Sequence, residues 1–187
     1  MRIAHGALVP PPPTSVILTF VRMTRGVGRD MTMTDTPSSL RILVDADACP
    51  VKDEIYKVAW RHEVPVMIVA NSHFRIPVHP LISRVVVSDG FDAADDWIAE
   101  QADAKTVVVT ADILLADRCV KAGATVLANT GKPFTTSSIG GAIATRAIMA
   151  DLRAGGDVIG GPAPFSKTDR SSFLSALDAA LVKLKRV

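Results

Sequence analysis

Short apolar runs alternate along the chain with segments of helical periodicity, and this alternation limits the fold more than any other feature. The clearest apolar run is the β-branched stretch 106–110, whose residue types favour a strand. Alternating strands and helices predict crossover connections and a mostly parallel sheet with helices on both faces. We therefore predict a three-layer α/β/α fold with a mostly parallel five-stranded sheet, with strands at residues 41–44, 65–70, 84–88, 106–110 and 125–128.

The helical segments lie between and after these strands. Pro50 suits the first turn of a helix, since its ring presets the backbone and its missing donor would have no partner there. Ser166 and Asp169 have the spacing of a capping signal for a closing helix that ends near Lys185. Residues 131–136 are polar and typical of turns. The predicted helices cover residues 50–62, 92–101, 113–122, 138–153 and about 167–185.

Length and composition indicate one folded domain. The 187 residues are enough for one core and too few for two large ones, and the apolar fraction of 48% is typical of a globular protein. We predict that residues 1–37, with the proline run 10–13, form a disordered N-terminal extension and that residues 38–187 form the domain. No apolar run approaches the length of a membrane span. Two cysteines give no disulfide framework, so we expect a cytoplasmic protein with reduced thiols.

The net charge is +2 and is unevenly distributed. Residues 1–30 hold four arginines and one aspartate, a surplus of +3, so the remainder sums to −1. A domain of this balance offers no strong positive field. Any contact with nucleic acid must therefore come from a local basic patch.

Aspartates gather where the predicted strands end. Asp45 and Asp47 follow the first strand, and Asp112 follows the fourth strand directly after Thr110 and Ala111. In open α/β sheets, ligands bind outside the carboxyl ends of the strands, where the strand order reverses. A third acidic group opens the helix after the third strand and consists of Asp92, Asp95 and Asp96.

Such a group of carboxylates needs compensation. Two of them 4 Å apart repel by roughly 4 kcal/mol at an effective dielectric near 20, whereas a whole domain is stable by only about 5–15 kcal/mol. A divalent cation, a shared proton or hydrogen bonds must offset the repulsion. Oxygen-only ligands favour Mg²⁺ or Mn²⁺ over zinc. Alternatively, Asp112 and Asp92 or Asp95 each cap a helix, because aspartate is a common N-cap residue.

Other side chains are weaker candidates. Asn71 at the end of the second strand, Arg75 in the following proline-broken loop and Thr110 are predicted to line the site and contact substrate. Cys49 lies beside the acidic loop, where a nucleophilic thiol would lack the positive surroundings that it needs. The remaining candidates are predicted to be structural or solvated: Trp60 and Trp97 in the core, Arg146 and Arg153 on the surface, Asp117 either in the site or solvated, and His73 and His79 in a loop.

Several of these segments together resemble the YaiI/YqxD family of uncharacterised bacterial proteins. The match rests on residues 44–51 (VDADACPV), 90–95 (GFDAAD), 110–112 (TAD) with 115–116, 160–162 (GGP), and 169–170 with Phe173. It covers the chain from about residue 40 onward. That family is similar to the PIN-like superfamily, especially its NYN branch, whose members generally cut RNA phosphodiesters with Mg²⁺ or Mn²⁺.

The resemblance implies roles for individual residues. Asp45, Asp92 and Asp112 correspond to the acidic residues of PIN-like proteins, with Asp47 beside the first and Asp95 or Asp96 beside the second. The leading interpretation is thus a metal-dependent phosphodiesterase, a ribonuclease, in which Asp45, Asp92 and Asp112 are catalytic. Asp45 and Asp112 would hold the metal directly. Asp47, Asp92 and Asp96 would complete the shell, partly through water.

Two alternatives remain open from the sequence. A binding or regulatory module could keep a metal or nucleotide site without turnover. The Asp45-Ala-Asp47 pattern is also similar to phosphatases of the haloacid dehalogenase type, in which the first aspartate is a nucleophile. In those enzymes a Gly-Thr or similar pair usually follows the second aspartate, whereas here Ala48-Cys49-Pro50 follows.

Overall fold

A computed structural model describes residues 39–46, 49–87, 90, 92–154 and 165–186, without the side chains of 147 and 149–154. The predicted extension 1–37 and the loop 155–164 lie outside the described residues. None of the helices in the described part of the chain is long and apolar enough to cross a membrane.

The predicted α/β sheet is confirmed, with five parallel strands and one short addition. The strand order is β3-β2-β1-β4-β5-β6, and β6 alone is antiparallel. The sixth strand consists of two residues within segment 131–136, which the sequence analysis interpreted as turns. Two residues are too few to show the alternation of apolar and polar side chains that indicates a strand. The strands are β1 (Arg41–Asp45), β2 (Val66–Ala70), β3 (Ile82–Val86), β4 (Thr106–Val109), β5 (Thr125–Leu127) and β6 (Pro133–Phe134).

All five predicted helices form, with ends within about two residues of the predicted ones. The predicted capping signal is a full capping box, since Asp169 N donates to Ser166 Oγ at 3.1 Å and Ser166 N donates to Asp169 Oδ2 at 2.8 Å. The helices are α1 (Lys52–His62), α2 (Ala93–Gln101), α3 (Ile113–Lys121), α4 (Thr136–Ala154) and α5 (Lys167–Lys185).

Each face of the sheet has its own core, because successive side chains of a strand point to opposite faces. Ile42 and Val44 of β1 pack in the core that holds α1 and α5, including Phe173. Leu43, between them, packs in the other core with Ile98 of α2 and the buried side of α3. The three-layer arrangement follows directly from these apolar strands, which are buried on both faces.

The order of the strands reverses between β1 and β4, which are neighbours although they are distant in sequence. The chain leaves β1 toward α1 on one face, and it leaves β4 toward α3 on the opposite face. These connections diverge at the carboxyl ends of the two strands, and we call this place the crevice. In open α/β sheets this is where ligands bind.

The prediction that Trp60 lies in the core is wrong, because its side chain is 43% exposed. It follows directly after the buried residues Val58 and Ala59 of α1. Its ring stacks on Tyr56 with centroids 6.3 Å apart and lies 5.3 Å from the ring of His79. Trp97 is half-buried against the core on the other face.

Gly131 allows β6 and α5 to approach each other, and its replacement by alanine is expected to destabilise the fold. Its φ is +82°, and an added Cβ would lie 2.8 Å from both Phe173 Cα and Ser172 O. The left-handed backbone costs about 1–2 kcal/mol for alanine, and the overlap with backbone atoms adds about 1–3 kcal/mol. We expect Gly131→Ala to lower the free energy of unfolding by about 3 kcal/mol in urea denaturation.

Gly123→Ala is the matched control, because Gly123 also has a positive φ of +90° but its added Cβ meets no atom closer than 3.9 Å. Gly123→Ala should lower the free energy of unfolding only by the cost of the left-handed backbone, about 1–2 kcal/mol. Equal losses for the two variants would show that the close approach to α5 contributes nothing.

Candidate functional site

Asp45 ends β1 and is held across the point of strand reversal. The parallel register pairs Val44 with Val109, so Thr110 lies beside Asp45. Thr110 Oγ1 donates a hydrogen bond to Asp45 Oδ2 at 2.9 Å, and the two residues are 1% and 9% exposed. The predicted site residue Thr110 therefore orients a buried carboxylate at the carboxyl edge of the sheet.

Asp112 is connected to the same hydroxyl. Its backbone N–H donates to Thr110 Oγ1 at 3.0 Å, so a short chain of hydrogen bonds runs from Asp112 through Thr110 to Asp45. Asp112 Oδ1 accepts from the backbone N–H groups of Leu114 and Leu115 at 2.6 and 3.2 Å. The N-cap interpretation of Asp112 is therefore confirmed. Its other oxygen, Oδ2, lies 3.5 Å from Arg146 Nη1.

Asp95 connects the third acidic group to the first two. Burial raises the pKa of its carboxyl to about 6, and the charges of Asp45, Asp112 and Asp92 add to the increase in that order. The nearby cation of Arg118 opposes the shift. These four carboxylates therefore share one electrostatic environment, although they come from the ends of two strands and the start of α2.

Asp92 occupies the position before α2 without capping it. Its φ is +58°, which is uncommon outside glycine but several times commoner in aspartate than in most residues, and its side chain accepts no capping hydrogen bond within the described structure. The N-cap interpretation therefore fails for Asp92. Its exposed carboxylate contributes to the charge around Asp95.

The other acidic residues predicted as metal ligands or site members do not share the environment of Asp45 and Asp112 within the described residues. Asp96 forms an ion pair with Arg118 of α3 at 2.8 Å, with 59% of its side chain exposed. Asp117 pairs with Lys121 one turn later on α3 at 2.6 Å, as a surface residue does. Asp47 lies outside the described residues. Asp95, the alternative to Asp96 in the sequence, is thus the member of that pair that shares the environment of Asp45 and Asp112.

Two of the predicted substrate-binding residues, Asn71 and Arg75, follow the end of β2. Asn71 follows β2 directly, and its Oδ1 atom is buried without a hydrogen-bond donor among the described residues. Arg75 is exposed in the loop beyond it. Cys49 is buried, and this burial raises the pKa of its thiol to about 11. The thiol is therefore protonated and packed in the core at neutral pH.

Arg146 is the residue that the sequence interpretation missed. It was predicted to be surface charge, yet α4 brings its guanidinium, half exposed, to the outer oxygen of Asp112. Only packing of α4 against α3 creates this contact, and no local motif signals it. Arg146 places one positive charge at the rim of the acidic crevice.

The donor chemistry of the crevice fits a hard divalent cation. All four carboxylates offer oxygen, and burial together with the charges of the other three raises the pKa of Asp95. Within the described residues, no three acidic, histidine or cysteine side chains are arranged as a direct ligand group.

A cavity of about 470 Å³ lies elsewhere, at the amino-terminal edge of the sheet. Its lining includes Leu40, Pro65 and Lys105, which precede β1, β2 and β4. It is therefore at the opposite end of the strands from the aspartates.

Comparison with known proteins identifies close relatives. Residues 43–183 match the family model described as "Uncharacterized BCR, YaiI/YqxD family". The chain is 75% identical over 146 residues to a UPF0178 protein of Sphingopyxis alaskensis, covering 78% of this chain and 95% of that one. It is 61% identical over 154 residues to the UPF0178 protein bll3966 of Bradyrhizobium diazoefficiens, covering 82% and 91%. These names state no activity. No solved structure matches the chain.

The raised pKa of Asp95 predicts a stability change with a defined pH dependence. Because the folded pKa of about 6 exceeds the ordinary value of 3.8, the native state binds the proton more tightly, and stability falls as pH rises between about 4 and 6. Asp95→Asn removes this cost. Allowing for solvent screening, we expect a gain of about 1 kcal/mol at pH 7.5 in EDTA, or a Tm higher by about 2–4 °C.

The gain should vanish at pH 4, where the wild-type carboxyl is mostly protonated. Asp117→Asn, which removes a surface acid paired with Lys121, is the matched control and should show no such pH-dependent gain. Calorimetry in EDTA across pH 4–8 measures both. A loss of stability for Asp95→Asn at pH 7.5 would contradict the shared negative environment.

Proposed function

The chain belongs to the uncharacterised YaiI/YqxD family, and from the site that it carries we propose that it is a metal-dependent phosphodiesterase that cuts RNA. One observation supports the proposal most strongly. The charges of Asp45, Asp92 and Asp112 each raise the pKa of Asp95, at the edge of the sheet where the strand order reverses. The resemblance to PIN-like nucleases, which have acidic residues at corresponding positions, supports the same assignment and a PIN-like place for the fold.

Mg²⁺ or Mn²⁺ at this site would lower the pKa of a bound water and neutralise charge on the scissile phosphate. Asp45 and Asp112 are the residues proposed to hold the ion most directly. Thr110 keeps Asp45 in one orientation, because its hydroxyl is buried and is fixed in turn by the N–H of Asp112. Asp92 and Asp95 add negative charge beside them, and Asp47 and Asp96 are proposed outer members of the shell.

Phosphate binding requires positive or donor groups beside the acids. Arg146 stands at the rim within 3.5 Å of Asp112, and its exposed guanidinium can donate to phosphate oxygens. Asn71 follows the strand next to β1, and it can orient water or phosphate. These groups allow one phosphodiester to approach the acids despite their charge.

The proposal predicts Mn²⁺- or Mg²⁺-dependent cleavage of RNA that depends on the crevice acids. Asp45→Asn and Asp112→Asn should each lower the cleavage rate at least about 100-fold, because each removes a charge that holds the ion. Asn is as good an N-cap as Asp, so Asp112→Asn should leave α3 intact. Initial rates on a fluorescently labelled RNA, with and without EDTA, measure the effect.

Asp117→Asn is the control and should keep the wild-type rate, because Asp117 pairs with Lys121 on the surface of α3. If the purified protein shows no cleavage of RNA with either metal, the phosphodiesterase proposal is wrong. Metal binding without hydrolysis of RNA, DNA or nucleotides would instead indicate the non-catalytic module. An adduct of beryllofluoride with Asp45 would indicate an aspartyl nucleophile of the haloacid dehalogenase type.

A further inference from the structure

A loop takes the place of a helix between β2 and β3 and packs along one side of α1. Lys52, Tyr56 and Trp60 are spaced four residues apart and so lie on one face of the helix. Lys52 Nζ lies 5.3 Å from the centre of the Phe74 ring, and Trp60 lies 5.3 Å from the ring of His79. The loop is therefore attached to α1 near both ends, and Arg84 of β3 donates to the Phe74 carbonyl.

The surface that results exposes aromatic and apolar groups. Trp60 is 43% exposed beside His79, and Val78 next to it is fully exposed. Tyr56, behind Trp60, is buried and supports its ring from the core side. With 43% of the residue exposed, the Trp60 indole offers aromatic surface that a flat ligand can contact.

The charge around this surface is positive, in contrast to the slightly negative balance of the chain after residue 30. Asp53 of α1 is exposed, Glu54 is buried and paired with Arg170 of α5, and Asp178 of α5 is paired to both Arg61 and His62. Three cations meet at Phe74, since Lys52 lies over its ring, Arg84 donates to its carbonyl, and Arg75 follows it directly in the chain. This is a local basic patch of the kind that a nearly neutral domain needs for contact with nucleic acid.

The patch begins next to the acidic crevice. Lys52 and Asp45 both act electrostatically on the Cys49 thiol, so they lie near the same point. Asp45 pairs in register with Val69, and Asn71 starts the loop two residues later. From Lys52 to Trp60 the helix rises about 12 Å. The aromatic pair of Trp60 and His79 therefore lies along one helix face, about 12 Å away from Lys52.

We propose that this surface, centred on Trp60 and His79 and flanked by Lys52 and Arg75, binds unpaired nucleotides and guides a single strand toward the acidic crevice. The inference rests on the proposed function and adds its substrate class. Bases present their flat faces for stacking only when they are unpaired, and stacking on aromatic side chains beside a positively charged groove is how proteins hold single strands. A duplex hides those faces, and an acidic peptide offers none.

Trp60 is itself the reporter, because Trp60 and Trp97 are the only tryptophans of the chain. The experiment uses the full chain with Trp97→Phe and Asp112→Asn, in EDTA, so that neither cleavage nor metal binding contributes. A single-stranded RNA of about 12 nucleotides should quench the Trp60 fluorescence in a saturable way, with affinity that falls as salt rises. The same RNA annealed to its complement should bind at least about tenfold more weakly.

Three further variants, measured by anisotropy of labelled RNA with Trp97 intact, separate stacking and charge from folding. Trp60→Ala should weaken binding about tenfold or more, whereas Trp60→Phe should keep most of the affinity, because phenylalanine retains a face for stacking. Arg75→Ala should reduce the slope of affinity against salt. Circular dichroism should be unchanged for all three.

Unchanged affinity in Trp60→Ala, no quenching by the single strand, or equal binding of duplex and single strand would each overturn the proposed surface. Its failure is distinguishable from that of the proposed function. Metal-dependent cleavage that survives Trp60→Ala unchanged would leave the hydrolase and remove the surface. Quenching by single strands without any cleavage would leave the surface and remove the hydrolase.

Discussion

The hydrogen bond between Thr110 and Asp45 is the contact on which the rest of the site depends. It joins the ends of β1 and β4 where the strand order reverses, and it holds a carboxylate that is 9% exposed. Burying a charged group costs free energy unless it is hydrogen-bonded or paired. The Thr110 hydroxyl offsets part of that cost and fixes the direction in which the carboxylate points.

The rest of the site follows from the divergence of the chain at this point. Because α1 and α3 leave toward opposite faces, the connections diverge at the ends of β1 and β4, and α2 brings Asp92 and Asp95 to the same edge. Two cations of the described residues lie beside the acids, since Arg118 is engaged by Asp96 and Arg146 reaches the outer oxygen of Asp112. The proposed divalent cation would neutralise the negative charge around Asp95.

The fold could be predicted from the sequence because its strands are continuous apolar runs and its helices have clear starts, such as the capping box of Ser166 and Asp169. The positions of Asp45 and Asp112 followed from the same reasoning, since both come directly after strands.

Other features depend on tertiary packing. The sequence could not distinguish Asp95 from Asp96, because the choice depends on where Arg118 of another helix lies. Trp60 has helical spacing with the buried Tyr56, yet it is 43% exposed. Arg146 reaches Asp112 only through the packing of α4 on α3.

The central claim is that mutual repulsion among the crevice acids makes a divalent cation favourable there. Isothermal titration of the full chain with Mn²⁺ at pH 7.5, without nucleic acid, tests it most directly. The account predicts one saturable site in the wild type, its loss in Asp45→Asn and its retention in Asp117→Asn. Equal Mn²⁺ binding by all three proteins, or no binding by the wild type, would contradict it.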